Sequence, residues 1–333
     1  MKRFLFAALL VLSLSITKSA GLSALTGMTP SPRVFVTNER DGTVSVIDAG
    51  TDRVVSKIPV GGRPRGVQVA PDGRTVYVAV SHPADRRPGV REGIVAIDSA
   101  TGRIRTRYDS GTDPEQFAVA RDGSRLYIAN EDAGTASVTD VETGKVLATF
   151  VVGIEPEGVA VSPDGRWVYV TAETSSTVTV IDARTNRVAA SFLVDSRPRA
   201  AAFSPDGSRA YVTAELGQSV SVVDVKRHEV VRRVSLGPSA RPCGIVTSAD
   251  GRRLYVAAGR GNRVLVLDAR TGRERASVAV GSRVWGIALT PDGRKLYAAN
   301  SLSNDVSVID TGTNRVVATI PAGDGPWGVA IAR

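Results

Sequence analysis

Residues 158–194 read GVAVSPDGRWVYVTAETSSTVTVIDARTNRVAASFLV and contain four short segments that are rich in Val, Ile, Thr and Tyr. Segments of this length and composition, with polar and apolar residues often alternating, predict β-strands. Pro163-Asp164-Gly165 follows the first segment and signals a tight turn, because Pro presets φ and Gly accepts a positive φ. Asp182 begins a second turn after the third segment. The stretch therefore predicts a four-stranded antiparallel meander.

This unit recurs along the chain. An Asp closes the third strand of each unit, and the successive spacings are 50, 42, 42, 42, 44 and 42 residues. The seven closing residues are Asp48, Asp98, Asp140, Asp182, Asp224, Asp268 and Asp310. A period of roughly 40 to 45 residues with several strands per unit is typical of β-propellers. We therefore predict an all-β fold, a seven-bladed β-propeller of four-stranded antiparallel blades.

The two ends of the repeat region predict how the ring closes. The first unit starts at its second strand, residues 33–38, whereas residues 327–331 (WGVAI) read as a lone first strand. Pairing the C-terminal strand with the three N-terminal strands would complete one blade. Such closure removes the open sheet edges that invite aggregation.

Several motifs resemble those of the YVTN-type β-propeller repeats. They are Phe35-Val36-Thr37-Asn38, Tyr169-Val170-Thr171, Ser162-Pro163-Asp164-Gly165 and Val46-Ile47-Asp48. The resemblance covers residues 31–333 and implies the propeller fold. The layout, seven repeats behind an export signal, is also similar to the propeller associated with PQQ-dependent alcohol catabolism and an ABC-type transport operon. That similarity implies an accessory role near periplasmic alcohol oxidation or transport.

The N-terminus has the pattern of an export signal. Lys2 and Arg3 precede an apolar core at residues 4–16, which is short for a membrane span. Small residues follow, so we expect a signal peptide at residues 1–24 with cleavage near its end. An uncleaved signal anchor is the alternative. Both interpretations predict a periplasmic or secreted protein, and no other segment is long and apolar enough to cross a membrane.

Charge and cysteine content restrict the partners. The formal charge is +9, and loss of Lys2, Arg3 and Lys18 with the signal peptide leaves +6. The excess Arg lies mostly in turns, which fits either a solvated surface or a face that binds nucleic acid or another polyanion. Cys243 is the only cysteine, so no intramolecular disulfide can form, and we interpret it as a small filler. We expect a monomer.

Catalytic motifs are scarce. The two histidines, His82 and His228, fall in different repeats, and neither has a His or Cys at metal-ligand spacing. There is no Cys-x-x-Cys-His for covalent haem and no Gly-x-Ser-x-Gly elbow. We therefore predict no catalytic residue, no metal and no haem, and no motif supports PQQ binding, which stays open. The chain is a poor match for an eight-bladed PQQ dehydrogenase. A propeller-fold lyase that uses Glu and His is the enzymatic alternative.

The repeats differ most at the residue before the first-strand glycine, which faces the mouth of the channel in this architecture. From the first blade these residues are Trp327, Arg65, Glu115, Glu157, Arg199, Cys243 and Trp285. Residues two positions earlier and the loop glutamates Glu39, Glu131, Glu173 and Glu215 should lie on the same face. Blades three and four are acidic, whereas blades two and five to seven are basic. Trp285 and Trp327 should be adjacent because the ring closes.

Two interpretations of this ring stay open. Arg and Glu could pair around the channel and hold the blades in register. Alternatively, Arg and Trp could form a pocket for a flat anionic or carboxylated ligand. The predicted ligand-binding residues are Arg63, Arg65, Arg197, Arg199, Arg241, Arg283, Trp285 and Trp327. The acidic sector could instead hold a cation such as Ca²⁺, although its spacing matches no known loop.

An insertion breaks the period in the second blade, between Ser81 and Glu92. Its Pro, Gly and Arg content predicts a loop at the rim of the same face. The residues proposed for recognition there are His82, Arg86, Arg87 and Arg91. A tolerated surface insertion is the alternative. His228, in a turn on the opposite face, is expected to be solvated.

The leading functional interpretation is an exported, non-catalytic binding or scaffold module. Its partner would be a periplasmic protein or a small anionic ligand. Nucleic-acid or polyanion binding is the second class, and a lyase is the third. Fold alone does not choose among them, because propellers carry many unrelated activities.

Overall fold

Each predicted repeat forms a four-stranded antiparallel sheet in the computed structural model, which describes residues 31–82 and 91–332. The first strands of neighbouring blades contact one another around the ring and line a central channel. The predicted seven-bladed, all-β propeller is therefore confirmed. The expected signal peptide, residues 1–24, lies outside the described residues. Within the described ranges, no helix has the length and apolar character that crossing a bilayer requires.

Blade one takes strands from both ends of the chain, whereas blades two and three are built from consecutive strands. Blade one contains β1 (Arg33–Asn38), β2 (Thr43–Asp48), β3 (Arg53–Pro59) and β28 (Pro326–Ala332). Blade two contains β4 (Arg63–Val69), β5 (Thr75–Ser81), β6 (Gly93–Asp98) and β7 (Ile104–Tyr108). Blade three contains β8 (Pro114–Val119), β9 (Arg125–Asn130), β10 (Thr135–Asp140) and β11 (Val146–Val151).

The remaining blades follow in chain order. Blade four contains β12 (Pro156–Val161), β13 (Trp167–Ala172), β14 (Thr177–Asp182) and β15 (Arg187–Leu193). Blade five contains β16 (Pro198–Phe203), β17 (Arg209–Ala214), β18 (Ser219–Asp224) and β19 (Glu229–Ser235). Blade six contains β20 (Pro242–Thr247), β21 (Arg253–Ala258), a 3₁₀ turn (Gly259–Gly261), β22 (Arg263–Asp268) and β23 (Glu274–Ala279). Blade seven contains β24 (Val284–Leu289), β25 (Lys295–Asn300), β26 (Asp305–Asp310) and β27 (Arg315–Pro321).

The ring closes through β28, as the sequence predicts. β28 pairs antiparallel with β1, and Val34 lies opposite Ile331 while Phe35 lies opposite Ala330. A buried cluster then joins blade one to blade seven, where Val36 and Ile47 pack with Tyr297 and neighbouring apolar residues. Branched aliphatic side chains build most of this interface, in line with an aromatic content of 5 %.

The repeated Asp residues stabilise the turns. The carboxylate of Asp164 accepts hydrogen bonds from the Ser162 hydroxyl (2.5 Å) and the Arg166 amide (3.0 Å), and Gly165 has φ +72°. The closing Asp of the third strand does the same for the next turn. Asp48, for example, accepts from the Thr51 amide at 2.9 Å. The two Asp motifs in the sequence therefore specify two turns at the same end of each blade.

A Gly in the first strand allows neighbouring first strands to approach closely. A Cβ on Gly158 would lie 2.2 Å from the carbonyl oxygen of Arg199 in the next blade. The hydroxyl of Thr171 accepts a hydrogen bond from the Gly158 amide (2.8 Å) and donates to that same carbonyl (3.2 Å). The same donor bond recurs at two other junctions, from Thr37 to Arg65 and from Thr213 to Cys243. These contacts fix the residue before each Gly at the channel.

Opposite the mouth, second strands reach the turns of the next blade. Lys295 donates to the Asp52 carboxylate (2.7 Å), and the Tyr297 hydroxyl donates to it as well (2.5 Å). Between blades four and five the contact is different, because the Tyr169 hydroxyl bonds Nδ1 of His228 at 2.8 Å. Trp167 packs edge-on against the same imidazole, with centroids 4.7 Å apart. The expectation of a solvated His228 is therefore wrong, since its ring is half-buried between two aromatic side chains.

Candidate functional site

The mouth is the end of the channel where the first strands begin and the second strands end. The backbone joins the two sets there, since the Glu131 amide donates to the Asp113 carbonyl (3.0 Å) and the Glu173 amide to the Glu155 carbonyl (2.9 Å). The variable residues before each first-strand Gly and the loop glutamates are thus brought to one place, as the sequence predicts. They surround a cavity of about 240 Å³. Its lining residues are Glu39, Arg65, Glu115, Glu131, Glu157, Glu173, Arg197, Arg199, Arg283, Trp285 and Trp327.

Arg199 is the centre of a buried ionic network. Its side chain is 9 % exposed, and it donates to Glu215 through Nε (2.8 Å) and Nη2 (2.6 Å). Its Nη1 contacts the carboxylates of Glu157 and Glu173. Burial by itself would lower the pKa of Arg199, but the three carboxylates raise it above its usual value. The guanidinium is therefore charged and fully engaged by carboxylates.

Two carboxyl groups of this network have pKa values shifted in opposite directions. Burial raises the pKa of Glu157 well above its usual value, and the attraction of Arg199 does not offset this effect. Burial acts on Glu173 in the same direction, but the hydrogen bond from Glu157 and the charge of Arg199 lower the pKa of Glu173. The pKa of Glu157 is therefore raised and that of Glu173 is lowered, which is the usual outcome for carboxyl groups that share a buried site.

A second network occupies the opposite side of the mouth. Arg65 donates through Nε to Glu39 (2.9 Å), and its Nη1 pairs with Glu115. Arg63 also binds Glu39, at 2.7 Å. Nη1 of Arg65 lies 3.6 Å from the carboxylate of Glu131. Each carboxylate or guanidinium thus links neighbouring blades around the channel.

The two tryptophans stack on each other. The ring centroids of Trp285 and Trp327 are 5.4 Å apart with an interplanar angle of 22°. The guanidinium carbons of Arg283 and Arg199 lie 4.7 and 5.2 Å from the Trp285 ring, within range of a cation–π interaction. The predicted adjacency of the two indoles is therefore confirmed, and the indoles attract cationic groups.

Carboxylates cluster on the wall that blades three and four provide. Oxygen atoms of Asp113, Glu115 and Glu131 lie within 4.8 Å of one another. Burial, reinforced by Asp113 and other carboxylates, raises the pKa of Glu131 to about 7. Oδ1 of Asp113 is buried and has no hydrogen-bond partner among the described residues. The sequence shows the acidic sector, but not that these three groups converge, because one precedes β8, one lies on β8 and one follows β9.

Six of the eight predicted ligand-binding residues line the cavity, namely Arg65, Arg197, Arg199, Arg283, Trp285 and Trp327. Arg63 pairs with Glu39 beside the cavity, whereas Arg241 is half-exposed and is not among the lining residues. Most of these arginines already contact carboxylates. Sequence reasoning assigned these residues to one face of the ring but could not assign the partners of each guanidinium. It also missed the threonines and glycines that position the ring, although both recur in the repeats.

The other candidates lie elsewhere or are only partly described. The His82 amide donates to Glu92 (3.1 Å), and Arg91 pairs with Asp109 (2.6 Å). Arg86 and Arg87 lie outside the described residues. Cys243 is buried, and burial raises the pKa of its thiol, so the thiolate nucleophile is disfavoured. This agrees with its interpretation as a filler.

Comparisons with known proteins agree with this architecture. A family model described as "Choice-of-anchor I domain" matches residues 29–242, and one described as "Lactonase, 7-bladed beta-propeller" matches residues 187–316. Among solved structures, hydrazine synthase of Kuenenia stuttgartiensis shares 22 % identity at a TM-score of 0.75, over 89 % of this chain and 99 % of that one. A functionally unknown protein from Desulfotomaculum acetoxidans DSM 771 shares 17 % identity at a TM-score of 0.77, over 91 % and 99 %. These structural likenesses show the fold alone. A search of curated proteins finds no match.

Proposed function

The chain belongs to the choice-of-anchor I domain family, and from this premise and the mouth geometry we propose that it is an exported, non-catalytic module that binds a small ligand. The reference to an anchor in the family's name supports an exported or cell-surface protein. The pattern of residues 1–24 supports a cleaved signal peptide. Mass spectrometry of the mature protein from the culture tests this part, since an intact N-terminus would contradict cleavage.

One observation carries the binding proposal. Seven blades with closely similar strands place four different residue types at one repeat position, and six of the seven side chains line a single cavity. If the position served only to hold the ring together, a repeated Arg–Glu pattern would suffice. The stacked pair of Trp285 and Trp327 goes beyond that requirement, because indoles provide a rigid surface for a ligand. The cavity is below the roughly 300–1,000 Å³ typical of drug-sized ligands, so the ligand is small.

The link to PQQ-dependent alcohol catabolism or an ABC transport system stays a prediction from the YVTN resemblance. No comparison speaks for it. The neighbourhood of the gene tests it directly. Adjacent genes for an alcohol dehydrogenase, a cytochrome c and an ABC transporter would support the accessory role, and their absence from related genomes would remove its basis.

Polyanion binding is less favoured by the charge distribution. The mouth presents many carboxylates, and several basic residues at the other end pair with Asp, as in Arg105–Asp98 and Arg275–Asp268. Titration of a single-stranded oligonucleotide at two salt concentrations tests this class. Phosphate contacts would make log K fall with log salt by about 0.7 per contact. Lack of binding at low salt would eliminate it.

Lactone hydrolysis is a second candidate, favoured by the family match over residues 187–316. Glu131, with a pKa of about 7, has the proton affinity that suits a general base at neutral pH. However, Glu131 lies in blade three, outside the matched region. A pH-stat assay with a panel of sugar lactones tests the activity, and turnover that Glu131→Gln abolishes would replace the non-catalytic proposal.

A ligand screen by thermal shift tests the binding proposal itself. We expect a ligand to raise the melting temperature of the wild type and of Trp167→Phe, whose indole is far from the mouth. The same ligand should not stabilise Trp285→Leu, which lacks the stacked indole. Ligands that stabilise all three proteins equally would place the site elsewhere and contradict the proposal.

A further inference from the structure

We propose that the mouth selects a small organic cation, an ammonium compound whose charged head faces the carboxylates of blades three and four. This inference rests on the proposed binding function and names its ligand class. It departs from the anionic ligand that the sequence suggests, because the guanidinium groups of the mouth are largely occupied by carboxylates.

The distribution of charge at the mouth is the first argument. Eight carboxyl groups and six guanidinium groups occupy the two ring positions of each blade and the first position of the loop that follows the second strand. The carboxyl groups are Glu39, Asp113, Glu115, Glu131, Glu155, Glu157, Glu173 and Glu215, and the guanidinium groups are Arg63, Arg65, Arg197, Arg199, Arg241 and Arg283. Acidic groups are thus in excess by two at the mouth of a protein that is basic overall.

Six of the eight carboxyl groups belong to blades three and four. Between residues 109 and 196 the basic residues are Arg121, Arg125, Lys145, Arg166, Arg184 and Arg187, and all six lie at the turns opposite the mouth. Positive charge reaches this sector only from neighbouring blades, for example through Arg65 and Arg199. A buried excess of negative charge requires a counter-charge or protons. Burial raises the pKa of both Glu157 and Glu131, and a ligand cation would supply a further counter-charge to these carboxyl groups.

The indole pair is the second, independent argument. Trp285 and Trp327 line the same cavity as Glu115 and Glu131. Two guanidinium groups already lie over Trp285, so this aromatic surface favours cations. Aromatic side chains are what proteins use to recognise quaternary and methylated ammonium groups. Oxygen atoms of Asp113 lie within 4.8 Å of those of Glu115 and Glu131, and Oδ1 of Asp113 has no hydrogen-bond partner among the described residues.

The test uses tryptophan emission in the full-length Trp167→Phe protein, where both remaining indoles lie at the mouth. The probes are choline, its neutral isostere 3,3-dimethyl-1-butanol, and benzoate. We expect a saturable change with choline and at least tenfold weaker binding of the neutral isostere. Glu131→Gln should weaken choline binding about tenfold, since one nearby charge is lost. Glu142→Gln, which removes an exposed carboxylate at the opposite end, should leave choline binding unchanged.

A pH series separates the site from a general charge effect. Choline affinity should fall below pH 7, where Glu131 becomes protonated, and Glu131→Gln should lose this dependence. Equal binding of choline and the neutral isostere would overturn the inference. So would saturation by Ca²⁺ without a response to choline, which would indicate a metal site. Binding of benzoate alone would overturn the cation inference and leave the binding function standing, whereas silence of all three probes, together with a negative ligand screen, would contradict both.

Discussion

The imidazole of His228 in blade five accepts or donates a 2.8 Å hydrogen bond at Nδ1 with the hydroxyl of Tyr169 in blade four. The corresponding turn position holds Asp52 in blade one, where Tyr297 and Lys295 bind a carboxylate instead. Of these two junctions, the one between blades four and five contains a group that titrates near neutral pH, the imidazole of His228. Its protonation state is linked to the stability of the ring.

Stability should therefore fall on the acid side through His228. Burial, reinforced by Arg166, lowers the pKa of His228 below its usual 6.5. A group with a depressed pKa stabilises the fold fully above pH 6.5, and this contribution is lost as the pH falls through the folded-state pKa. Thermal unfolding of the wild type and His228→Asn between pH 8 and 5 measures it. Asn occupies the equivalent turn positions 186 and 314, and the variant should show a flatter pH profile. Parallel profiles would contradict the prediction.

Arg199→Ala should destabilise the protein severely. The substitution leaves Glu157, Glu173 and Glu215 buried without their common counter-charge, and removing one partner of a buried ionic network costs about 3–5 kcal/mol. Urea denaturation measures the change in the free energy of unfolding. The control is Arg184→Ala, where the side chain is 66 % exposed and the expected loss is about 0–1 kcal/mol. If the alanine variant does not fold, Arg199→Lys should fold and be intermediate in stability.

Gly158→Ala should also be destabilising. The added methyl group would lie 2.2 Å from the Arg199 carbonyl, so one first strand must move and strain its bond to Thr171. Overpacking of this kind costs about 1–3 kcal/mol. Blade five naturally carries Ala200 at this position, and Ala200→Gly serves as the reciprocal control, with a loss of about 1 kcal/mol or less. A neutral Gly158→Ala, measured by thermal and urea unfolding, would refute close approach as the reason for Gly.

Deletion of residues 327–333 should abolish the soluble fold. The truncation removes most of β28, opens blade one and exposes the edge of β1. Size-exclusion chromatography and circular dichroism measure the outcome. Deleting residues 83–90, which interrupt the 42-residue period of the sequence in blade two, provides the comparison and should leave a folded ring. A C-terminal truncation that unfolds cooperatively at the wild-type temperature would contradict closure by β28.

The fold could be predicted from the sequence because the same turn and strand motifs recur in each repeat. The turn at Asp164 and the pairing of residue 34 with residue 331 both follow from the position of a marker within the 42-residue unit. The adjacency of Trp285 and Trp327 follows from closure, so it too could be predicted. In each case the position of the residue within the repeat is sufficient to predict the contact.

The candidate site could be predicted only in part, because its chemistry depends on side-chain partners across blades. Arg199 and Arg241 occupy the basic sector in the sequence, yet one is surrounded by three carboxylates and the other does not line the cavity. The convergence of Asp113 with Glu131 depends on a loop and a strand end that meet through a backbone hydrogen bond. The repeated motifs do not predict such contacts, since these residues are the ones that differ between blades.

The pairing of Val34 with Ile331 has a kinetic consequence. These partners are 297 positions apart, whereas the other strand pairs of the propeller join segments within one repeat. Contacts of such separation form late, because the intervening chain must first be ordered. We therefore expect a transient, open arc of blades whose terminal edges are unpaired, and the lifetime of that arc, rather than the stability of the finished ring, sets the exposure of the chain to aggregation while it folds.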